Sequence, residues 1–86
     1  LQDNIVKLQA VWKPGEAPVL PRELEVLHTS HVGRVYTYIV RGKAHDVTER
    51  LQVHQPLMLE ALPLSLEEIF IYELGGEQYA VKEIIL

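Results

Sequence analysis

The sequence predicts a small α+β domain, because strand-like and helix-like apolar patterns alternate along a short chain. Residues 5–12 alternate apolar and polar side chains with the two-residue period of a strand that buries one face. Residues 44–51 repeat apolar side chains at the helical spacings of three and four. Ser65 and Glu68 form the sequence signature of a helix capping box.

The composition is that of a globular domain without covalent cross-links. Of the 86 residues, 48% are hydrophobic and 23% are charged, which predicts one folded domain over residues 1–86. The absence of cysteine excludes disulfides and thiolate catalysis, and it fits a reducing compartment. A net charge of -4 disfavours a general affinity for nucleic acid or anionic lipid. The chain begins at Leu1 rather than Met, so we expect a piece of a longer polypeptide or a processed product.

The first half of the chain predicts a strand, a loop and a hairpin. Residues 5–12 would form a strand that buries Val6, Leu8, Ala10 and Trp12. Prolines at positions 14, 18 and 21 then exclude a regular helix and predict a loop with at most one helical turn. Residues 24–29 and 34–40 are rich in β-branched and aromatic side chains, and the link 30–33 contains a glycine. They predict a hairpin.

The second half predicts helix, strand and helix. Residues 44–51 form an amphipathic helix, with Asp46 and Glu49 as a capping-box variant, that ends at Gln55-Pro56. Residues 57–62 are almost continuously apolar and predict a central strand that is covered on both faces. After Ser65, an apolar stripe would pack on the sheet and Gly75 would end the helix. The stripe consists of Leu66, Ile69, Phe70 and Leu74. Residues 79–86 fit a helical face, and we assign them to a helix, although Tyr79 and Val81 also alternate as in a strand.

This order of elements predicts a ferredoxin-like fold, which is a split βαβ arrangement with an antiparallel sheet. The proline-rich connection would replace a shortened first helix, and residues 79–86 would be an added C-terminal helix.

No residue pattern predicts a catalytic, cofactor or metal site. His28 and His31 lie three residues apart on a strand and project to different sides, and His45 and His54 supply no second ligand pair. Ser65 is better explained as a helix cap than as a nucleophile, and Ser30 also lacks the sequence context of a nucleophile. The carboxylates that follow Ser65 fit the first turn of a helix better than acid–base chemistry.

Two binding hypotheses remain open. Tyr36 and Tyr38 on one face of a strand, with arginines at both ends, are a weak match to RNA-recognition sheets, which the acidic net charge disfavours. An apolar face near the chain end would be an intersubunit or interdomain surface, or else it would complete the core. That face consists of Tyr72, Ile84, Ile85 and Leu86.

The most specific pattern lies near the chain end, in the stretch Leu62-Pro63-Leu64-Ser65-Leu66-Glu67-Glu68-Ile69-Phe70. It resembles a Pro-x-Ser-Leu-Glu-x-Ile-Phe element in the C-terminal accessory domain of bacterial ABC transporter ATP-binding subunits, particularly those of drug and bacteriocin exporters. The resemblance extends by pattern over most of residues 4–75, and the tail after Gly76 does not align.

The resemblance implies a noncatalytic, cytoplasmic domain at the inner face of the membrane that acts by contact. ATP and Mg²⁺ would bind to the parent subunit upstream, and this chain would hold no cofactor. The implied partners are its own ATPase domain, a second copy of the subunit, as in a homodimer, and a membrane permease, but no nucleic acid. A free-standing small-ligand sensor is the alternative, and it would need a concave apolar pocket with converging polar groups.

Overall fold

The computed structural model describes residues 5–15 and 20–74, and it confirms the α+β class. The strands are β1 (Ile5–Val11), β2 (Glu25–Val32), β3 (Val35–Arg41) and β4 (Met58–Leu62). Helix α1 spans Ala44–Gln52. Helix α2 (Leu66–Glu68) continues directly into a π-helix (Ile69–Glu73), and residues 66–73 are called the capped helix below.

The four strands form one antiparallel sheet in the order β2-β3-β1-β4. The prediction that the fourth strand is central was wrong, because β4 lies at the edge of the described sheet and pairs only with β1 there. In this strand Leu59 packs against the main core, while Glu60 and Ala61 are exposed to solvent.

Helix α1 covers one face of the sheet and forms the main core with it. The alternation predicted for the first strand is confirmed, because the four side chains expected to be buried all lie in this core: Val6, Leu8, Ala10 and Trp12. Val47 and Leu51 of α1 pack against them together with Tyr38 and Val40 of β3. Full burial of one such aliphatic side chain stabilises the fold by about 1.5–3 kcal/mol.

The capped helix lies over the opposite face. Ile39 of β3 points to this face and is 2% exposed. In the sheet it lies between Lys7 of β1 and His28 of β2. Both neighbours contact the capped helix, Lys7 through Glu68 and His28 through the ring of Tyr72. The described domain therefore has three layers, with the sheet between two helices.

The hairpin of β2 and β3 is confirmed, but its turn is tighter than the sequence predicted. The predicted link 30–33 belongs mostly to β2, and only Gly33 and Arg34 form the turn. Gly33 has φ +60°, and Arg34 does not have a positive φ, which is the arrangement of a type II′ hairpin turn. A β-bulge at Leu27 shifts the register between Val26 and His28. The bulge turns His28 away from the core face and towards the capped helix.

Helix α1 forms where it was predicted, but its predicted cap does not. The residue before the first turn is Lys43, which makes no side-chain capping bond, and Asp46 lies inside the first turn. Instead, Oε2 of Glu49 lies 3.5 Å from Nε2 of His45. The helix ends at Gln52, three residues before Gln55, whose φ of 55° cannot continue a helix.

The predicted capping box at Ser65 is confirmed. The backbone amide of Glu68 donates to the Ser65 hydroxyl at 3.1 Å, and the Ser65 amide donates to the Glu68 carboxylate at 2.8 Å. The predicted packing of the apolar stripe was wrong for Leu66, which is 72% exposed, and for Leu74, which is 63% exposed, whereas Ile69 is half-buried. The predicted cap at Gly75 and the predicted helix 79–86 lie outside the described residues.

Candidate functional site

Glu68 links the capped helix to the sheet. Its carboxylate accepts from the Ser65 amide at 2.8 Å and also contacts Lys7 of β1, whose Nζ atom lies 3.0 Å from Oε2. The same side chain therefore caps the helix and ties it to the sheet. Both charged side chains are partly shielded, with 22% of Lys7 and 25% of Glu68 exposed.

The environment of Glu68 favours its ionised form. Burial raises the pKa of its carboxyl group, but hydrogen bonds from Ser65 and Lys7, together with the charge of Lys7, outweigh burial and lower the pKa below its ordinary value. The carboxylate is therefore charged at neutral pH, when it holds the helix against β1.

This attachment turns the apolar stripe outward. Glu68 and Tyr72 are four residues apart and both face the sheet. At about 100° per residue, Leu66 precedes Glu68 by about 200° and so lies on the opposite side of the helix. Leu74, the residue that follows the capped helix, is 63% exposed. The two ends of the predicted stripe, Leu66 and Leu74, are therefore exposed, whereas Ile69 is half-buried.

Only one of the predicted interface residues can be located. Tyr72 is half-buried, and its ring centroid lies 6.3 Å from that of His28, between the capped helix and the sheet. Ile84, Ile85 and Leu86 lie outside the described residues. The large apolar side chains that this helix exposes most are Leu66 and Leu74, which the sequence had assigned to the core.

The aromatic pair on β3 divides between core and surface. Tyr38 is 1% exposed, and its hydroxyl accepts a hydrogen bond from the indole nitrogen of Trp12 at 2.9 Å. Burial raises the pKa of Tyr38 more than the Trp12 hydrogen bond lowers it, and nearby Tyr36 raises it further. Tyr36 is half-buried and stacks on both Tyr38 and His31. A stacking platform for bases would therefore have one accessible tyrosine rather than two.

A cleft lies beside Tyr36, where β1 ends next to the hairpin turn. It is open to solvent along one side, has a volume of about 280 Å³ and is lined by residues 12–15, Gly33, Arg34 and Tyr36. Lys13 and Arg34 bring two positive charges to it, and no carboxylate is among its described lining residues. The sequence gives a weak local signal for this cleft, because a Trp-Lys-Pro-Gly turn and a Gly-Arg turn each combine a cation with a glycine. Their proximity depends on the pairing of β1 with β3.

The fold separates the two histidines that were considered as a pair of metal ligands. His28 contacts Tyr72 on one face of the sheet, and His31 stacks on Tyr36 on the other, as the sequence predicted. Within residues 5–15 and 20–74, no group of three histidine or acidic side chains is arranged to hold a metal ion. Ser65 and Glu68 are engaged with each other.

In the part of the chain that the structure describes, no helix combines the length and apolar character needed to cross a membrane. No protein-family model matches the chain, and neither a curated protein nor a solved structure matches it significantly.

Proposed function

We propose that this chain is a noncatalytic accessory domain of an ABC transporter ATP-binding subunit and acts by contact during ATP-driven export at the cytoplasmic face of the membrane. The support is the Pro-x-Ser-Leu-Glu-x-Ile-Phe element, whose capping box forms in the structure. Leu66 is exposed, so the predicted packing of this side chain on the sheet gives the proposal no further support. In this proposal, ATP and Mg²⁺ bind upstream in the parent subunit.

We also propose that the fold is a split βαβ plan of the ferredoxin-like kind. The support is the antiparallel strand order β2-β3-β1-β4, in which β3 lies between the first two strands of the chain. In chain order the connection from β1 to β2 stands where that plan has its first helix, and its described part contains a turn at Pro21–Leu24. Helix α1 then connects β3 to β4 across the core face.

The contact surface in this proposal is the outer side of the capped helix. The observation that carries it is the exposure of Leu66, at the start of the capped helix, and of Leu74, directly after it. The cap and the Glu68–Lys7 ion pair hold this helix in place. Exposed apolar side chains at the two ends of a fixed helix are suited to a groove on a partner.

Charge indicates which partner fits this surface. The described residues of the capped helix include Glu67, Glu68 and Glu73, but no lysine or arginine. Two copies that met through this helix would bring Glu67 and Glu73 towards their counterparts, which like-charge repulsion disfavours. We therefore assign the surface to an apolar groove with a basic rim on the ATPase domain of the parent subunit. Such a contact biases the transport cycle only if it is stronger in one state of the ATPase than in another.

The full-length parent provides the test. A phosphate-binding loop upstream of residue 1 is expected, and its absence would remove the transporter assignment without affecting the contact surface. In the parent, Leu66→Ser combined with Leu74→Ser should increase hydrogen exchange at the capped helix and alter the ATPase rate. Val53→Ser is the matched control, because Val53 is also apolar and is 76% exposed, but it lies at the end of α1.

Three outcomes are distinguishable in this experiment. An effect of the double variant that Val53→Ser does not share supports the contact. Equal behaviour of both variants and the wild-type parent rejects it. Concentration-dependent self-association of the isolated chain, abolished by the double variant, would identify a second copy as the occupant and reject the ATPase groove.

One observation favours a second candidate function. The cleft beside Tyr36 combines aromatic walls with two cations, which are features of a small-ligand site. A domain that senses a small ligand would use this cleft and would not need the outer side of the capped helix.

A further inference from the structure

We propose that the cleft beside Tyr36 binds a small organic anion, in which a carboxylate or phosphate group is attached to a planar ring. The inference rests on the cleft alone and is independent of the proposed transporter role. Its three components are a pair of cations that form no ion pair with the described residues, an aromatic wall held in one orientation, and a volume that limits the size of the ligand.

Among the described cations without an ion pair, which also include Arg22 and Lys43, Lys13 and Arg34 are the two that line the cleft. Lys7, Arg41 and Arg50 each form an ion pair with a glutamate. The side chains of Lys13 and Arg34 form no ion pair or hydrogen bond with any described residue, although both line the same cleft. An arginine guanidinium can hold a carboxylate or phosphate through two parallel hydrogen bonds, and a lysine adds a third donor.

The turn that carries Arg34 is held in place. Gly33 adopts φ +60°, which favours glycine, and its carbonyl oxygen accepts a hydrogen bond from Nδ1 of His31 at 3.1 Å. The ring of His31 is itself stacked on Tyr36, with centroids 4.8 Å apart and planes 23° apart. The position of Arg34 is therefore linked to the aromatic wall of the same cleft.

The aromatic wall is also fixed from the core side. Tyr36 is stacked against Tyr38, with ring centroids 6.1 Å apart and planes 13° apart. Tyr38 in turn accepts the hydrogen bond of the Trp12 indole, and both residues are buried. Trp12 and Tyr36, which line the cleft, are thus joined through one buried tyrosine. A ring that enters the cleft meets aromatic side chains already ordered, so binding loses little conformational entropy in the protein.

The volume restricts the ligand. Pockets for drug-sized molecules usually enclose about 300–1,000 Å³. At about 280 Å³ the cleft is just below this range, which matches a single ring with one anionic group. Benzoate and phenyl phosphate are suitable probes for the two possible anions, and benzamide has nearly the shape of benzoate without its charge.

The test is a titration of the ¹⁵N-labelled 86-residue chain with the three probes, monitored by NMR. We expect saturable shifts confined to residues 12–15 and 33–36 with at least one of the two anions. Benzamide should bind at least tenfold more weakly than benzoate. The better of the two anions identifies the group that the site prefers.

Substitutions then distinguish a specific binding site from nonspecific attraction between charges. Arg34→Gln should raise the dissociation constant at least tenfold, which corresponds to about 1.4 kcal/mol. Lys43→Gln, which removes an exposed cation before α1, should leave it unchanged. The melting temperature of each variant is measured first, and Arg34→Lys, which keeps the charge, replaces Arg34→Gln if the latter does not fold.

The proposal is overturned by any of three results. They are the absence of saturable binding by both anions at millimolar concentration, equal binding of benzamide and the better anion, and equal weakening by substitutions at Arg34 and Lys43. In the first case the cleft is only a surface depression. In the other two, binding occurs without the specific cations that the proposal requires.

Discussion

Replacing Glu68 with glutamine tests the contact that orients the capped helix. The glutamine side chain would keep an oxygen that can accept from the Ser65 amide, so the substitution removes mainly the charge that faces Lys7. Exposed ion pairs contribute about 0.2–1 kcal/mol, and this pair is partly shielded, with 22% and 25% of its side chains exposed. We therefore expect Glu68→Gln to lower the free energy of unfolding by about 1 kcal/mol. In a domain of this size that corresponds to a fall of about 4–8 °C in melting temperature.

The same substitution predicts a defined pH dependence. The pKa of Glu68 is lower in the folded chain than its ordinary value, so its ionisation stabilises the fold fully above the ordinary carboxyl pKa of about 4.3. This stabilisation is lost as the pH falls through the lower folded-state pKa, where the carboxylate becomes protonated. Thermal unfolding of both proteins should therefore show a difference at about pH 7 that shrinks as the solution is acidified below the ordinary carboxyl pKa.

A double-mutant cycle with Lys7→Met provides the control. If Glu68 acts through Lys7, the two single substitutions should not be additive, and Glu68→Gln should have little effect in the Lys7→Met background. Equal melting temperatures for the wild type and Glu68→Gln at neutral pH would refute this account of the helix orientation. A difference that stays constant down to about pH 2 would also refute it, because it could not arise from the carboxylate charge.

Three further substitutions test the core and the entry to α1. Trp12→Phe removes the donor to the buried Tyr38 hydroxyl, and urea unfolding followed by circular dichroism should show a loss of about 1–3 kcal/mol. Gly42→Ala should cost about 1–3 kcal/mol in the same assay, because φ is +146° and the new Cβ would lie 3.0 Å from Val47. Leu51→Ala removes most of a side chain that is 0% exposed and should lower the free energy of unfolding by about 2–5 kcal/mol. If the urea midpoint of any variant equals that of the wild type, the structural role given to that residue is contradicted.

The features that the sequence predicted correctly are set by neighbouring residues. The alternation in β1, the hairpin and the Ser65 capping box each depend on side chains a few positions apart. The helical period of α1 is equally local, and its buried residues Val47 and Leu51 lie on one face. Local patterns of this kind predict the same local structure wherever the tertiary packing agrees with them.

The features that the sequence missed depend on long-range pairing. The edge position of β4 follows from which side of β1 it joins, and an apolar run does not encode that choice. The bulge at Leu27 reverses the alternation in β2 without any glycine or proline to indicate it. The cleft requires the end of β1 to lie beside the turn at Gly33, and this proximity appears only once the sheet has formed.

The capped helix shows how one motif can carry both a correct and an incorrect prediction. The capping box determines where the helix begins, because Ser65 and Glu68 satisfy each other's backbone amides. It does not determine which side of the helix faces the sheet. That choice involves Lys7, 61 residues away from Glu68, which pairs with the carboxylate on the sheet side while Leu66 lies outside. The ion pair thus holds the helix against the sheet with Leu66 exposed. The contact surface that we propose requires this arrangement.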